Sequence, residues 1–295
     1  MKRKREESGL TLVELLIVLA VISLLVGLLI PAVTAVKNSA REAKQKGQFF
    51  AIDVALTAFK DDYGDYPPSY YGHPRTGAGV PPGIYCGSQK LAEALLGWDL
   101  LGFHPRSDWR WDGLDAAGGP GSYDPAKVRG NATFDERKSP YIEEGTRYAF
   151  TLADLYRSHP LATQPGANRY LFCDVYGATK VTLPSGSTAK AGAPILYYKA
   201  DPSGKFNDPA LVDPARPCDN RGNVYNCLDN VTIVQIKEAV DGIAVPFDKN
   251  AFYAYIRDPK ITAKQWPYRP GSYILISAGA DGIYGTPDDI RNFGD

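Results

Sequence analysis

The first sixty residues carry one continuous helical pattern. Residues 15–36 hold no charged side chain, and at about 1.5 Å per residue they extend roughly 33 Å, enough to cross a bilayer core of about 30 Å. Apolar residues then continue at helical spacing in two adjacent stripes: Ala40, Ala43, Gly47, Phe50, Val54 and Ala58, and Phe49, Ile52, Leu56 and Phe59. We predict one helix over residues 10–62, wet in its middle, buried at its far end and stopped by Gly64 and Pro67-Pro68.

The remainder of the chain, residues 63–295, has the pattern of a mixed globular head. Gln89–Leu96 predicts a short helix that ends at Gly97, and residues 103–140 predict a long loop rich in Gly, Pro, Asp and Trp. The predicted strands are Tyr170–Tyr176, Ile195–Lys199, Val231–Ile236, Phe252–Ile256 and Tyr273–Ser277. Because strands and helices do not alternate, we predict an α+β fold in which an antiparallel sheet packs on the long helix.

Charge is balanced over the whole chain but concentrated at its start. The 33 basic and 33 acidic residues give no net charge, so nothing in the total charge favours a nucleic-acid partner. Four consecutive basic residues, Lys2 to Arg5, precede the apolar stretch. The positive-inside rule therefore predicts one membrane span over about 15–36, with a cytoplasmic N-terminus and the head outside the membrane.

The junction between the basic segment and the apolar helix carries a recognisable motif. Gly9 ends the basic segment, Leu10 opens the apolar stretch, and Glu14 is the one acid at its start. This stretch resembles the N-terminus of type IV prepilins and of the pseudopilins of type II secretion. The resemblance implies a leader, residues 1–9, that a prepilin peptidase removes after Gly9, and N-methylation of the new terminus at Leu10. Most family members have Phe where this chain has Leu10; Pro31 falls where the family often has a proline.

Glu14 also has a physical reading. An acid within a membrane helix costs roughly 2.5–3.5 kcal/mol at mid-bilayer, and less near the helix end, so its carboxylate needs a partner. After cleavage the amine of Leu10 lies one helical turn away. In an assembly the amine of one subunit can meet Glu14 of the next, so Glu14 is predicted to set the register. An ordinary secretory signal cut near Ala32 or Ala35, or a plain single-span anchor, would explain the apolar stretch but not the pairing of Gly9 with Glu14.

Two stretches of the head extend the resemblance to the major pseudopilin of type II secretion. Residues 59–67 (FKDDYGDYP) look like that protein's helix exit, and residues 272–293 look like its last strand and calcium loop. The resemblance implies a structural calcium ion held by Asp281, Asp288 and Asp289, and the nearby glycines would let the backbone carbonyls turn inward. A solvated acidic turn is the alternative.

Four cysteines fit a head outside the cytoplasm, where disulfides are permitted. Cys86, Cys173, Cys218 and Cys227 form no C-x-x-C pair, so a structural zinc site is disfavoured. Four cysteines allow three pairings. We favour Cys218–Cys227, which closes a short loop, together with Cys86–Cys173; buried free thiols are the alternative.

The function predicted from these features is that of a filament subunit. We expect a pseudopilin of a type II secretion system, with further copies of itself, the prepilin peptidase and the inner-membrane assembly machinery as partners. A type IV pilin for adhesion, motility or DNA uptake is the alternative within this class. A membrane-anchored enzyme or glycan-binding module is the alternative outside it; because the sequence shows no nucleophile elbow, P-loop or H-E-x-x-H pattern, we expect no catalysis.

Overall fold

The computed structural model describes residues 11–72, 83–114, 123, 136–143, 148–157, 159–177, 179–182, 186–241 and 247–294. The chain divides into two units, with the boundary between Lys44 and Gln45. In chain order the helices of the described residues are α1 (Leu12–Tyr63), α2 (Gly87–Leu96), α3 (Leu152–Leu155), α4 (Val231–Asp241) and α5 (Lys249–Tyr255).

The predicted long helix is confirmed by α1, although position 10 lies outside the described residues. It ends one residue later than predicted, at Tyr63. Gly64 adopts a φ of 84° and donates its backbone N–H to the carbonyl of Lys60 at 2.7 Å. A left-handed residue after the last helical turn closes a helix in this way, and glycine does so without steric cost.

The strands in the described part of the head form three small antiparallel sheets where the sequence predicted one. The sheets pair β1 (Ala149–Thr151) with β2 (Tyr170–Phe172), β3 (Thr179–Thr182) with β4 (Thr188–Ala191), and β5 (Leu196–Lys199) with β6 (Tyr273–Ser277), which also pairs with β7 (Ile290–Arg291). The strands predicted at β2, β5 and β6 are confirmed. The first is shortened, because the β1–β2 ladder ends at Phe172 and Cys173 forms an isolated bridge with Pro194. The fold is thus α+β and pilin-like, a long N-terminal helix followed by small antiparallel sheets.

The β5–β6–β7 sheet separates two hydrophobic cores. Leu196 and Ile274 point into one core with Ile233 of α4 and Phe252 of α5. Their neighbours along β5 and β6 point into the other core, which also contains residues of α1 and α2. Both faces of the sheet are therefore covered, which explains why all five residues of β6 are buried and why its sequence does not alternate.

The second apolar stripe of α1 is the part of that helix that enters the core. Phe49, Ile52, Leu56 and Phe59 are all at most 4% exposed. Burying side chains of this size contributes about 1.5–3 kcal/mol each. Packing against Leu95 of α2 and against the sheet therefore fixes this end of α1 within the head.

Two strand predictions are wrong, because both segments are helical. Val231–Ile236 lies in α4, which continues directly from the 3-10 turn Cys227–Asn230. Its buried residues Ile233 and Ile236 are three positions apart, a helical spacing that the run of β-branched residues obscured. Phe252–Ile256 lies in and just after α5, whose start is capped by the Asp248 carboxylate accepting the N–H of Ala251 at 2.8 Å. A cap of this kind initiates a helix and outweighs the strand preference of aromatic residues.

Asn230 joins three segments of the head through buried hydrogen bonds. Its side-chain oxygen accepts both the N–H and the hydroxyl of Ser88 at 2.9 Å, at the start of α2. Its amide nitrogen donates to the carbonyl of Tyr197 in β5 at 2.7 Å. Because Asn230 is fully buried, water could not take its place as a hydrogen-bond partner. Removing the side chain would therefore leave the groups of Ser88 and Tyr197 unsatisfied.

We therefore predict that Asn230→Ala lowers the free energy of unfolding of the head by about 2–3 kcal/mol, because it strands several buried polar groups. Thermal or denaturant unfolding of the detergent-solubilised chain measures the change. Asn250→Ala is the matched control: Asn250 lies on α5, and its side chain makes one exposed contact of 3.5 Å, so the variant should stay within about 0.5 kcal/mol of the parent. Equal effects of the two substitutions would contradict this role of Asn230.

Candidate functional site

The start of α1 is closed by a reciprocal cap between Thr11 and Glu14. The Glu14 carboxylate accepts the backbone N–H and the hydroxyl of Thr11, each at 2.8 Å, and the Thr11 hydroxyl accepts the N–H of Glu14 at 3.2 Å. This is the capping-box arrangement, in which the two side chains accept hydrogen bonds from the backbone N–H groups of Thr11 and Glu14. Backbone N–H groups at a helix start have no partner within the helix. Glu14 is thereby held at the beginning of the apolar helix. Gly9 and Leu10, the other predicted residues of this motif, lie outside the described residues.

Among the described residues, α1 is long and apolar enough in its first part to cross a membrane. The large apolar side chains that the structure describes between Leu12 and Val36 are exposed. The polar side chains within this stretch satisfy themselves locally: the hydroxyls of Ser23 and Thr34 donate to the carbonyls four residues earlier, at 2.8 and 3.0 Å. The helix continues through Pro31, whose missing N–H removes one helical hydrogen bond.

The other apolar stripe of α1 faces outward in the head. Phe50 is 70% exposed and Val54 is 54% exposed, one helical turn apart. They lie on the opposite side from Phe49 and Ile52, which are buried. Both stripes lie on the helix as predicted, but among the described residues the second stripe is covered while Phe50 and Val54 of the first stay exposed.

Aromatic contacts fix the chain where it leaves α1, at the predicted helix exit. The rings of Tyr66 and Tyr273 meet edge to face with centroids 4.8 Å apart. The Tyr273 hydroxyl donates to Asp53 of α1 at 2.6 Å, and the Tyr197 hydroxyl donates to the carbonyl of Pro67 at 2.7 Å. The exit is therefore held between α1 and the paired strands β5 and β6.

The acidic residues of the C-terminal loop organise its backbone. The Asp288 carboxylate accepts the N–H groups of Ala280 and Asp281 at 2.7 and 3.0 Å. The Asp289 carboxylate accepts the Tyr255 hydroxyl at 2.6 Å and a backbone N–H at 2.8 Å. Gly279 has a φ of 65°, and a Cβ there would lie 2.3 Å from the carbonyl oxygen of Asp288, so only glycine fits this approach.

These carboxylates influence one another. Burial raises the pKa of Asp281, and a hydrogen bond to Asp288 raises it further. Burial opposes ionisation of Asp288 as well, but hydrogen bonds from Thr286 and from backbone N–H groups lower its pKa overall. Burial raises the pKa of Asp289 to about 6. Within the described part of the chain, His, Cys, Asp and Glu form no group of three or more arranged to hold a metal ion, although the Thr286 hydroxyl lies within hydrogen-bond distance of both Asp288 and Asp289.

All four cysteines are free thiols, so the pairings Cys218–Cys227 and Cys86–Cys173 are not those of this structure. The Cys86 thiol donates to Gln89 at 3.4 Å at the start of α2, and burial raises its pKa to about 12. The Cys218 thiol donates instead to the carbonyl of Tyr71 at 2.7 Å. The Cys86 and Cys218 thiols thus have separate partners, and the contact of Cys218 with Tyr71 spans 147 positions of sequence.

The sequence analysis missed a set of polar side chains buried in the middle of the head. Lys90 and Asp229 are 0% and 2% exposed. The one available signal was the spacing of the short helix: Lys90 lies in the same stretch as the buried Leu91 and Leu95, an unusual place for a charged side chain.

Comparison with known proteins first defines the class of the N-terminus. Residues 4–30 match the family model of the prokaryotic N-terminal methylation motif. The match spans the predicted cleavage position, Glu14 and the first part of α1. With the pilin-like fold, it supports the resemblance to prepilin-like proteins that the sequence suggested.

Particular relatives support the same resemblance. Over 70 residues the chain is 33% identical to the type II secretion system core protein G of Pseudomonas aeruginosa. The aligned region covers 24% of this chain and 49% of that protein. The core protein G of Aeromonas hydrophila is 31% identical over 70 residues, with the same shares covered. The chain thus spans about half the length of the curated relatives it matches. No solved structure matches the chain.

Proposed function

We propose that this chain is a pseudopilin of a type II secretion system, a non-enzymatic subunit that assembles with copies of itself into a filament. The observation that carries the proposal is the methylation motif over residues 4–30 leading directly into the apolar first half of α1. The matches to core protein G of type II secretion favour a secretion filament over a pilus.

In this proposal the chain is made as an inner-membrane precursor. The basic residues Lys2 to Arg5 stay cytoplasmic, and the apolar half of α1 spans the bilayer with the head in the periplasm. The prepilin peptidase removes residues 1–9 and methylates Leu10. The assembly machinery of the inner membrane then moves the mature subunit from the bilayer into the filament.

Glu14 sets the axial register between subunits. Its carboxylate stands at the start of the helix, held by Thr11. In an apolar interior, where two unit charges interact far more strongly than in water, a neighbouring Leu10 amine would be a strong partner. The amine exists only after cleavage, so the peptidase gates assembly.

Phe50 and Val54 supply a lateral contact in the filament. Both are exposed in the single chain, and they lie on the helix that would run along the filament. Covering a Phe or a Val side chain contributes about 1.5–3 kcal/mol each. A ridge of this kind stabilises the packing of neighbouring helices once Glu14 has set the register.

The C-terminal loop takes up a calcium ion on Asp281 and Asp288, with Asp289 holding the loop against Tyr255. Asp281 and Asp288 are close enough to shift each other's pKa, and two neighbouring ionised carboxylates repel each other unless a proton or a cation lies between them. Calcium accepts six to eight oxygen ligands at about 2.3–2.6 Å, and the loop's carbonyls and water would complete the shell. The ion would fix the loop after β6.

The processing step tests the proposal most directly. In cells that express a prepilin peptidase, the mature chain should begin at N-methylated Leu10, as intact mass and N-terminal sequencing of membrane-extracted protein would reveal. Gly9→Val should leave the precursor uncut, because a bulky side chain blocks the scissile position. Gly27→Val is the matched control, since a Cβ at Gly27 meets nothing within 4 Å, and it should be processed normally. Normal-length mature protein from Gly9→Val would refute the assignment.

Substitutions of Glu14 separate its charge from its capping role. Glu14→Leu removes both, whereas Glu14→Gln keeps a side chain that can cap Thr11 but carries no charge. If the carboxylate pairs with the Leu10 amine of a neighbour, both variants should insert and be processed, yet give at least about tenfold fewer filaments, the equivalent of about 1.4 kcal/mol per subunit contact. Crosslinking and electron microscopy measure filament yield. Parent-like assembly of Glu14→Gln would leave Glu14 a helix cap alone and remove its role in register.

Calcium should stabilise the head, because it binds the folded loop and not the unfolded chain. At a concentration one hundred times its dissociation constant, the gain is about 2.7 kcal/mol. Thermal unfolding of the detergent-solubilised chain in calcium and in chelator measures it. Asp288→Ala should abolish the shift, and Asp61→Ala, which changes an exposed acid on α1, should retain it. An unchanged midpoint together with no heat of binding would remove the site.

A further inference from the structure

A cleft of about 470 Å³ opens beside the segment that follows α1. It lies between Ser69 and Tyr70 on one side, the end of β5 and residues 201–203 on another, and residues 218–222 on a third. Asp229, from the 3-10 turn before α4, also lines it. A volume of this size holds a small organic ligand or one long side chain.

Asp229 is buried in this cleft with half of its carboxylate unsatisfied. It is 2% exposed, and the Ser69 hydroxyl donates to its Oδ2 atom. Among the described residues, none donates a hydrogen bond to its Oδ1 atom. A buried carboxylate oxygen without a donor is costly, and a ligand that supplies the donor relieves that cost.

The nearest buried cation is already engaged elsewhere. Lys90 donates its ammonium to the carbonyls of Tyr70 and Gly72 at 2.6 and 2.9 Å and lies 3.3 Å from the centre of the Tyr70 ring. Lys90 is not among the residues that line the cleft. It therefore lowers the cost of the Asp229 charge from a distance without occupying the Oδ1 atom.

The cations on the cleft wall are likewise held by acids outside it. Lys199 pairs with Asp65 at 2.5 Å, and Arg221 pairs with Asp213 at 2.5 Å. Neither Asp65 nor Asp213 lines the cleft. The positive charges of Lys199 and Arg221 are thus neutralised by carboxylates that lie outside the cleft.

Three carboxylates of the lining then remain, those of Asp201, Asp219 and Asp229. Asp201 and Asp219 each accept backbone N–H groups through Oδ1. Across the described ranges, no three acids are close enough to hold one metal ion, so these carboxylates are spread along the cleft. Such a surface suits an extended organic cation with several N–H donors.

We propose that this cleft binds an organic cation of the ammonium or guanidinium class, with a donor N–H of the ligand on the Oδ1 atom of Asp229 and further donors towards Asp201 and Asp219. The ligand is either a free amine or a basic side chain of a protein, such as one being moved by the filament. The site lies apart from α1 and from the C-terminal loop, so it is independent of the residues that carry the proposed function.

Binding should strengthen as the pH rises from about 6 to about 8. Burial raises the pKa of Asp229 to about 7, with the Ser69 hydrogen bond and Lys90 opposing the rise, so ionised Asp229 accumulates over this range. Burial lowers the pKa of Lys90 to about 7, so the competing positive charge disappears over the same range. Burial raises the pKa values of the neighbouring thiols and phenols, so they stay neutral throughout: Cys86, Cys218, Cys227, Tyr71, Tyr198 and Tyr253. Burial also raises the pKa of Glu93, which interacts with Lys90.

The experiment titrates agmatine, which carries both cationic groups, into the detergent-solubilised full chain by calorimetry and saturation-transfer NMR. Asp229→Asn should weaken binding by about tenfold or more, the size expected when one partner of a buried charged hydrogen bond is lost. Asp219→Asn, at an exposed position, should weaken it by a smaller factor and does not endanger folding. Asp61→Asn removes one charge outside the cleft and should leave the affinity unchanged.

A second arm distinguishes the source of the cation. A short peptide with a central arginine should displace agmatine if the cleft takes a protein side chain, and it should fail to do so if the cleft admits free amines alone. N-carbamoylputrescine, with a neutral urea in place of the guanidinium, should bind more weakly. Absence of agmatine binding, or equal effects of Asp61→Asn and Asp219→Asn while both variants unfold normally, would overturn the proposal.

Discussion

The burial of one face of α1 is the constraint on which the head depends. The buried face of α1 consists of Phe49, Ile52, Leu56 and Phe59. In the head, α2 and one face of the β5–β6–β7 sheet pack against these side chains. The opposite face of that sheet must then be covered as well, and α4 and α5 cover it. The apolar face of α1 and both apolar faces of the β5–β6–β7 sheet must be removed from water. The order of the layers therefore follows from the packing of α1 on one face of this sheet.

Much of this arrangement was predictable, because it rests on local signals. The helical spacing of α1, the glycine and prolines that end it, and the apolar runs of β5 and β6 are all properties of neighbouring residues. The errors arose where a local signal was ambiguous. Val231–Ile236 is a short β-branched run, and its helical state is set by the turn before it and by burial of Ile233 and Ile236 on one side. The division into three sheets depends on loops whose paths no pattern specifies.

The polar interior could not have been predicted by any local pattern. Asn230 meets Ser88 across 142 positions, and Asp229 meets Ser69 across 160. Each contact exists only because the fold brings distant segments together, and each buried polar atom must then find a partner there. Cys218 follows the same rule, since its thiol donates to the carbonyl of Tyr71, 147 positions away. At the N-terminus the reverse holds: Thr11 and Glu14 stand three residues apart, and that spacing alone indicates a capping box.

The outward ridge of α1, formed by Phe50 and Val54, stays uncovered in the described part of the head. Phe50 and Val54 are exposed despite their apolar side chains, whereas the nearby side chains of Phe49 and Ile52 are buried. An isolated chain loses free energy by keeping Phe50 in water, so a surface of this kind persists at a cost unless another molecule covers it. The cleft at Asp229 lies on a different part of the head and draws on different residues. The proposed self-association through the ridge of α1 and the proposed ligand binding in the cleft would therefore use separate surfaces of the chain.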